Sequence, residues 1–322
     1  MSRVTLKDVA ELAGVNFTLV SKYLNGSPQA RMTEETRGRI DRALAQLNYR
    51  PNGVARALRA GRTHAVGLLS GDLTNEYSAH FADYCMRVLR EHGYELLLTL
   101  NDAGDGGDAA VQALLGRDVD GILSHSMGER LVRRLSCPVV LNGQMSLEYS
   151  TVNLDIGGSL LEALRAVPGR VTGLFFENSV WREEARIACL KLGRSMDIKM
   201  LSLSQETREG QLREICQTRP EVILTNGWQT LRMLQEMLSG KRGYRPKILA
   251  HANCQGPFWQ SPLVAGVIYS PTRDLIRRSC ELLLDKIEHG EGRPKHLAIP
   301  TRFLAAGTDD YNALCSKNFQ LT

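Results

Sequence analysis

Residues Thr5 to Asn25, TLKDVAELAGVNFTLVSKYLN, constrain this chain more than any other stretch. They read as two short helices joined by a tight turn. Val4, Leu6, Val9, Ala10 and Leu12 supply an apolar face for the first helix. Gly14, within Ala13-Gly14-Val15, can take the positive φ that a sharp turn needs. Asn16 can cap the second helix by accepting an orphan backbone N–H. Leu19, Val20, Tyr23 and Leu24 recur at helical spacing and are expected to face inward, which leaves Phe17, Thr18, Ser21 and Lys22 near the N-terminal end of the other face. A helix-turn-helix presents that end to base edges in the major groove. An ordinary helical hairpin, with Thr18 and Lys22 merely solvated, is the competing reading of these residues alone.

A third helix is expected from Thr33 to about Leu47, with Thr33 as N-cap and Glu34 and Glu35 at its positive end. Ile40, Ala43, Leu44 and Leu47 form its buried stripe. Pro51 stops it and can open a short helix through Asn52-Gly53-Val54-Ala55-Arg56-Ala57-Leu58-Arg59. Charge is placed unevenly. The chain carries +5 overall, yet residues 1–62 hold eleven Lys/Arg against five Asp/Glu, so the remainder is close to neutral. A basic head on a neutral body is the footprint of a module that meets phosphates, though a solvated basic face would look the same.

Beyond the polar linker Ala60-Gly61-Arg62-Thr63 the pattern changes to alternating strands and helices. Strands are expected at Ala65–Ser70, Tyr94–Leu100, Asp120–Ser124 and Pro138–Asn142, with helices at Tyr77–His92, around Val111–Leu115 and at Glu129–Leu135. The pattern then restarts. Helices are expected at Gly158–Ala166, Trp181–Gly193, Arg208–Thr218, Trp228–Leu238 and Thr272–His289. Strands are expected at Val171–Phe176, Lys199–Leu203, Glu221–Thr225, Lys247–Ala250, Val264–Ile268 and Leu297–Leu304. Continuous apolar runs between helices indicate parallel sheets covered on both faces.

TLKDVAELAGVN, VSKYLNG, LNYRPNGVARALR and the body that follows resemble the LacI/GalR family of bacterial transcription regulators. The likeness spans nearly the whole chain and is densest over residues 4–62. It implies an all-α helix-turn-helix head over residues 1–49 and a hinge helix and linker over 50–62. An α/β, two-lobed, periplasmic-binding-protein-like domain with parallel sheets would follow over 63–322. Lobe 1 would comprise about 63–154 plus 269–298, and lobe 2 about 155–268 plus 299–322.

By the same resemblance Thr5, Phe17, Thr18, Ser21 and Lys22 would meet the major groove, with Ser21 on phosphate. The family more often has Arg where Lys22 stands, and Lys donates to guanine without the rigid fork of Arg. Asn52, Val54, Ala55 and Leu58 would lie in the minor groove. Leu58 would wedge between the central base pairs, an unstacking cost recovered through contacts to the bent duplex. A linker leucine packing on its own domain is the alternative.

Effector-lining positions carried over from the family are Asp72, Asn75, Tyr77, Asn142, Arg186, Asn226, Trp228 and Asn253. This chain departs from the pattern at several of them. Cys189 replaces the glycine after Arg186, Gly227 replaces an Asp, and His251-Ala252-Asn253-Cys254 stands where G-[YF]-D-[DN] is usual. Sugar sites use such carboxylates to accept pairs of hydroxyl hydrogen bonds. An Arg among neutral amides suits an anionic, non-sugar ligand. A cleft that has lost its ligand and serves dimerisation is equally open.

The N-terminus MSRVTLKDVAEL has no apolar signal core, and no stretch of 18 apolar residues occurs, so a cytoplasmic location without membrane contact is expected. Seven scattered cysteines without a CxxC pair read as reduced core residues, and no metal site or cofactor is expected. Asp102, Asp105 and Asp108 lack EF-hand spacing, and Gly240-Lys241-Arg242 lacks the P-loop pattern. There is no G-x-S-x-G or H-E-x-x-H, so no catalytic residue is assigned and an enzyme is not expected.

The reading that results is a sequence-specific DNA-binding regulator, most often a repressor in this family. It would bind a pseudo-palindromic double-stranded DNA operator as a homodimer, with a small-molecule effector in the interlobe cleft. A ligand-independent DNA-binding regulator is the alternative, ahead of a soluble small-molecule binding protein.

Overall fold

A computed structural model describes residues 4–24, 27, 30–49, 61–70, 73, 76–100, 108–125, 129–133, 135–176, 180–202, 204–239, 243–252 and 257–316. Two compact units divide at residues 63 and 64.

The N-terminal unit is helical. Helix α1 (Leu6–Ala13) starts at a capping box: the Thr5 backbone N–H donates to Asp8 Oδ2 at 2.7 Å and the Asp8 N–H returns to Thr5 Oγ1 at 3.4 Å. Gly14 ends it at φ +63°, with its N–H turned back to the Ala10 and Glu11 carbonyls. Helix α2 (Phe17–Leu24) is capped by Asn16, whose Oδ1 accepts the Thr18 N–H at 2.7 Å. Helix α3 (Glu34–Gln46) opens on Thr33, whose Oγ1 accepts from Thr36 N. Val9, Ala10, Ala13, Val20, Ile40 and Ala43 form the core, with Leu6, Leu19, Tyr23 and Leu24 half-buried. Leu12, expected on the inner face, is 46% exposed, and Ala13 is buried in its place. The buried positions 9, 10 and 13 keep i, i+1, i+4 spacing, and residue 12 falls off that stripe.

The C-terminal unit holds two six-stranded sheets with matching strand order. Sheet A runs β11-β5-β4-β3-β1-β2, all parallel: β1 (Ala65–Ser70), β2 (Glu95–Leu100), β3 (Gly121–His125), β4 (Val139–Asn142), β5 (Ser150–Asp155) and β11 (His296–Pro300). Sheet B runs β12-β10-β9-β8-β6-β7: β6 (Val171–Phe176), β7 (Met196–Leu201), β8 (Val222–Thr225), β9 (Lys247–Ala252), β10 (Val264–Tyr269) and β12 (Arg302–Ala305). There only the β12 edge is antiparallel.

Alternate strand residues serve opposite faces. Leu68, Leu123 and Val140 of sheet A pack with α4 (Glu76–Glu91) and α11 (Thr272–His289). Leu69, Ile122 and Leu141 pack with α5 (Asp108–Leu115) and α6 (Glu129–Val132). Sheet B is covered by α7 (Gly157–Ala166) and α8 (Val180–Lys191) on one face. Its other face carries α9 (Gln205–Gln217), α10 (Trp228–Leu238), the 3₁₀ turn Pro257–Gln260 and α12 (Asp309–Ser316).

Several expected elements need correction. The single strand expected at Leu297–Leu304 is two, β11 in sheet A and β12 in sheet B, with Thr301 at the crossover between them. The polar strand β5 and helix α12 were not expected at all. Strand β7 begins at Met196 rather than Lys199, and α6 stops at Val132 rather than Leu135. Among the described residues, no helix is long and apolar enough to cross a membrane.

Candidate nucleic-acid interface and strand-end site

In the head, Val20 anchors α2 in the core and fixes which of its faces is outward. Phe17 and Thr18 are exposed at the start of that helix, and Ser21 and Lys22 are half-buried one turn later. Phe17, at 37% exposed, is a large apolar side chain with no core role, the kind of residue that meets thymine methyls or sugar edges. The four therefore share the outer side of one short helix. Thr5, by contrast, has its hydroxyl engaged with Asp8 at 2.8 Å, which makes it a cap first. Those hydrogen bonds, the backbone N–H of Thr5 foremost, hold the Asp8 carboxyl below its ordinary range. Asn52, Val54, Ala55 and Leu58 lie outside the described residues.

In the body, parallel strands direct their C-terminal ends to the region where an α/β sheet binds ligands. Asp72, Asn75 and Asn253 lie outside the described residues, as does the Tyr77 side chain. Asn142 ends β4 but is 1% exposed, and its Nδ2 donates to the Val152 carbonyl at 3.1 Å and to Ser279 Oγ at 2.7 Å. Its amide nitrogen thus ties β4 to β5 and α11. Arg186 sits on the exposed side of α8 in a two-pronged ion pair with Glu183, Nη2–Oε1 2.5 Å and Nε–Oε2 2.9 Å. Trp181, Ala185, Ala188 and Cys189 occupy the buried stripe of that helix instead. Asn226 follows β8, its backbone hydrogen-bonding the His251 ring. Trp228 starts α10 and lies half-buried against the core, with Arg232 Cζ 5.9 Å from its ring centre.

Two buried imidazoles end strands, one in each sheet. His125, at the end of β3, stacks on Phe81 with ring centres 4.4 Å apart. His251, in β9, lies 4.4 Å from Trp181, and its Nε2 is 2.7 Å from Ser270 Oγ. Burial pushes both pKa values down to about 4, the Asn226 hydrogen bond opposing it at His251.

One residue that sequence reasoning missed is Arg208, buried in the first turns of α9. A signal for it existed. Residues 208, 212, 215 and 216 form an i, i+4, i+7, i+8 stripe, and Leu212, Ile215 and Cys216 are its buried apolar members. An arginine on the core-facing stripe of a helix is a placement that asks for a reason.

Residues 5–52 match the sequence profile of bacterial regulatory proteins of the lacI family. The chain thus carries a head of the lacI family. It is 37% identical to the HTH-type transcriptional regulator PtxS of Pseudomonas aeruginosa over 169 residues, which are 50% of this chain and 49% of PtxS. It therefore spans about half the length of that relative. Against the catabolite repressor/activator of Escherichia coli it is 28% identical over 319 residues, covering 88% of this chain and 92% of that protein. The fold of this chain matches that of the Lac repressor dimer bound to operator and an anti-inducer, with a TM-score of 0.81 at 16% identity over 94% of this chain and 98% of that one.

Proposed function

We propose that the chain is a sequence-specific DNA-binding transcriptional regulator that acts as a homodimer on a pseudo-palindromic operator. Its activity would respond to a small molecule bound at the strand ends between the lobes. The observation that carries the reading is the head itself. A capped, glycine-turned helix pair leaves Phe17, Thr18, Ser21 and Lys22 on the outer side of a helix whose inner side is locked by Val20. Likeness to regulators over the head, and along most of the chain to the catabolite repressor/activator, supports it.

Dimerisation is a physical need, since one head of this size buries too little DNA for useful specificity. The place of action is then the compartment that holds the DNA. A bound small molecule can alter DNA affinity only by binding two states of the body unequally.

Leu58 is proposed as the wedge and Asn52, Val54 and Ala55 as its minor-groove neighbours, on resemblance alone. The test is competition binding with a symmetric duplex recovered by selection and with random duplex. Lys22→Ala should weaken the selected duplex by about tenfold to a hundredfold, as expected for one base contact of 1–3 kcal/mol. Leu58→Ala should weaken the selected duplex while leaving random duplex nearly unchanged. Equal losses on both duplexes would remove these residues from base recognition.

A further inference from the structure

A helix that reads bases has to be held at more than one point. Helix α2 has only eight residues, about 12 Å of length. Val20 is its single buried residue, with Leu19, Tyr23 and Leu24 half-buried around it. One anchor near the middle of a short rod leaves the rod free to tilt and roll about that point. A tilt about Val20 carries Phe17 and Thr18 one way and Lys22 the other. Recognition groups work only when supporting residues hold them to within about 0.5 Å of their productive place.

Tyr23 supplies a second anchor. It is the i+3 neighbour of Val20, and its ring packs against the core of the head. Its hydroxyl donates to Asp41 Oδ1 of α3 at 2.8 Å. Arg37, one turn earlier on α3, brings Cζ to 6.0 Å from the centre of the same ring, and its Nη1 lies 3.6 Å from Glu34 Oε2. Residues 34, 37 and 41 follow i, i+3, i+7 spacing, so one side of α3 faces the phenol. Helix α3 is itself fixed in the core by Ile40 and Ala43, which makes it a firm base for that contact.

The hydrogen bond to Asp41, foremost, and then burial raise the Tyr23 hydroxyl above its ordinary pKa. The phenol therefore keeps its proton at neutral pH and remains the donor in a charge-assisted bond.

We propose that Tyr23 and Asp41 are a positioning pair, which sets the tilt of α2 and so the placement of Phe17, Thr18 and Lys22 against base edges. The proposal rests on the reading of α2 as the DNA-reading helix and names what holds it in register. Hydrogen bonds to base edges are directional, whereas the attraction of a basic head to phosphates is not. Loosening α2 should therefore weaken binding to its own sequence more than binding to DNA in general.

Competition binding of the full-length protein to the selected duplex and to random duplex tests this, scored as the ratio of the two affinities. The ratio cancels the uniform gain expected when a negative charge is removed at residue 41. Tyr23→Phe keeps the ring and its packing and deletes only the hydroxyl. Its ratio should fall about threefold to tenfold, the range of one lost hydrogen bond. Asp41→Ala should give the same fall, and the combined variant should fall no further, because the two residues act through each other. Asp41→Asn keeps an acceptor oxygen and should stay within about twofold of the native ratio. Four results would overturn the proposal. They are an unchanged ratio in Tyr23→Phe, equal losses on both duplexes, falls that add in the combined variant, or an Asp41→Asn ratio as low as that of Asp41→Ala. Equal losses would make the pair a stability contact alone, and additive falls would mean that each residue acts separately. A native protein that binds both duplexes alike removes the regulator reading and this role with it. A native preference that survives in Tyr23→Phe removes the pair alone.

Discussion

His125 and His251 are held neutral by burial, each with a pKa of about 4 against 6.5 for a solvated ring. Above pH 6.5 both states of the chain carry neutral rings. Below it the unfolded chain takes up protons that the folded chain refuses, so stability falls from pH 6.5 downward until the folded rings protonate near pH 4. The full gap is worth roughly 3 kcal/mol per ring, and about 2 kcal/mol of it is lost between pH 7 and pH 5. His251→Gln, whose amide can still reach Ser270, should therefore flatten the decline in melting temperature between those pH values. A decline as steep as that of the native protein would mean that His251 titrates normally in the fold. At the same scale, Asn16→Ala removes the cap of α2 at a cost of about 1 kcal/mol. Amide exchange in α2 should then accelerate roughly fivefold, and unchanged exchange would contradict the cap.

Among the elements, α7 depends on a residue far along the chain. The Arg194 guanidinium binds the carbonyls of Leu164, Val167 and Gly169, which closes the C-terminus of α7 and the turn after it. Arg194→Lys should still destabilise the body by roughly 1.5–3 kcal/mol, because one ammonium cannot reach three diverging acceptors. A denaturant midpoint equal to that of the native protein would refute this. Elements with continuous apolar runs or clear helical periodicity, such as β6 and α11, were legible from residues alone. The strand β5, STVNLD, was not, since its polar positions carry no period-two pattern and its place is set by pairing with β4 and β11. The break between β11 and β12 was hidden for a related reason. Leu297–Leu304 is one apolar run, and only its two different partner strands divide it. Arg208 was overlooked because motif matching pointed to Arg186, whereas burial of the α9 stripe depends on the sheet it packs against. In the head, the turn glycine and caps carried their own local chemistry, and three helices were legible almost to the residue.

At the scale of the molecule, the chain passes between the two sheets at residues 156, 270 and 301. Two of these crossings are tied together: Thr301 Oγ1 donates to the Asp155 carbonyl at 2.8 Å and lies 2.5 Å from Ser159 Oγ. The third is tied to sheet B, where the Ser270 N–H donates to the Ala252 carbonyl and its hydroxyl meets His251. A body that responds to a ligand would bend at these ties, and Thr301→Val should loosen the first pair. About 1 kcal/mol of stability should be lost with faster exchange of the amides around Thr301, and a variant indistinguishable in both would deny the tie any role. The central claim, a dimer that reads symmetric DNA with the outer side of α2, is tested most directly by selecting bound sequences from a random duplex library with the purified full-length protein. Enrichment of a pseudo-palindrome with a flexible pyrimidine–purine step at its centre is the predicted result. No enrichment at modest salt would contradict it.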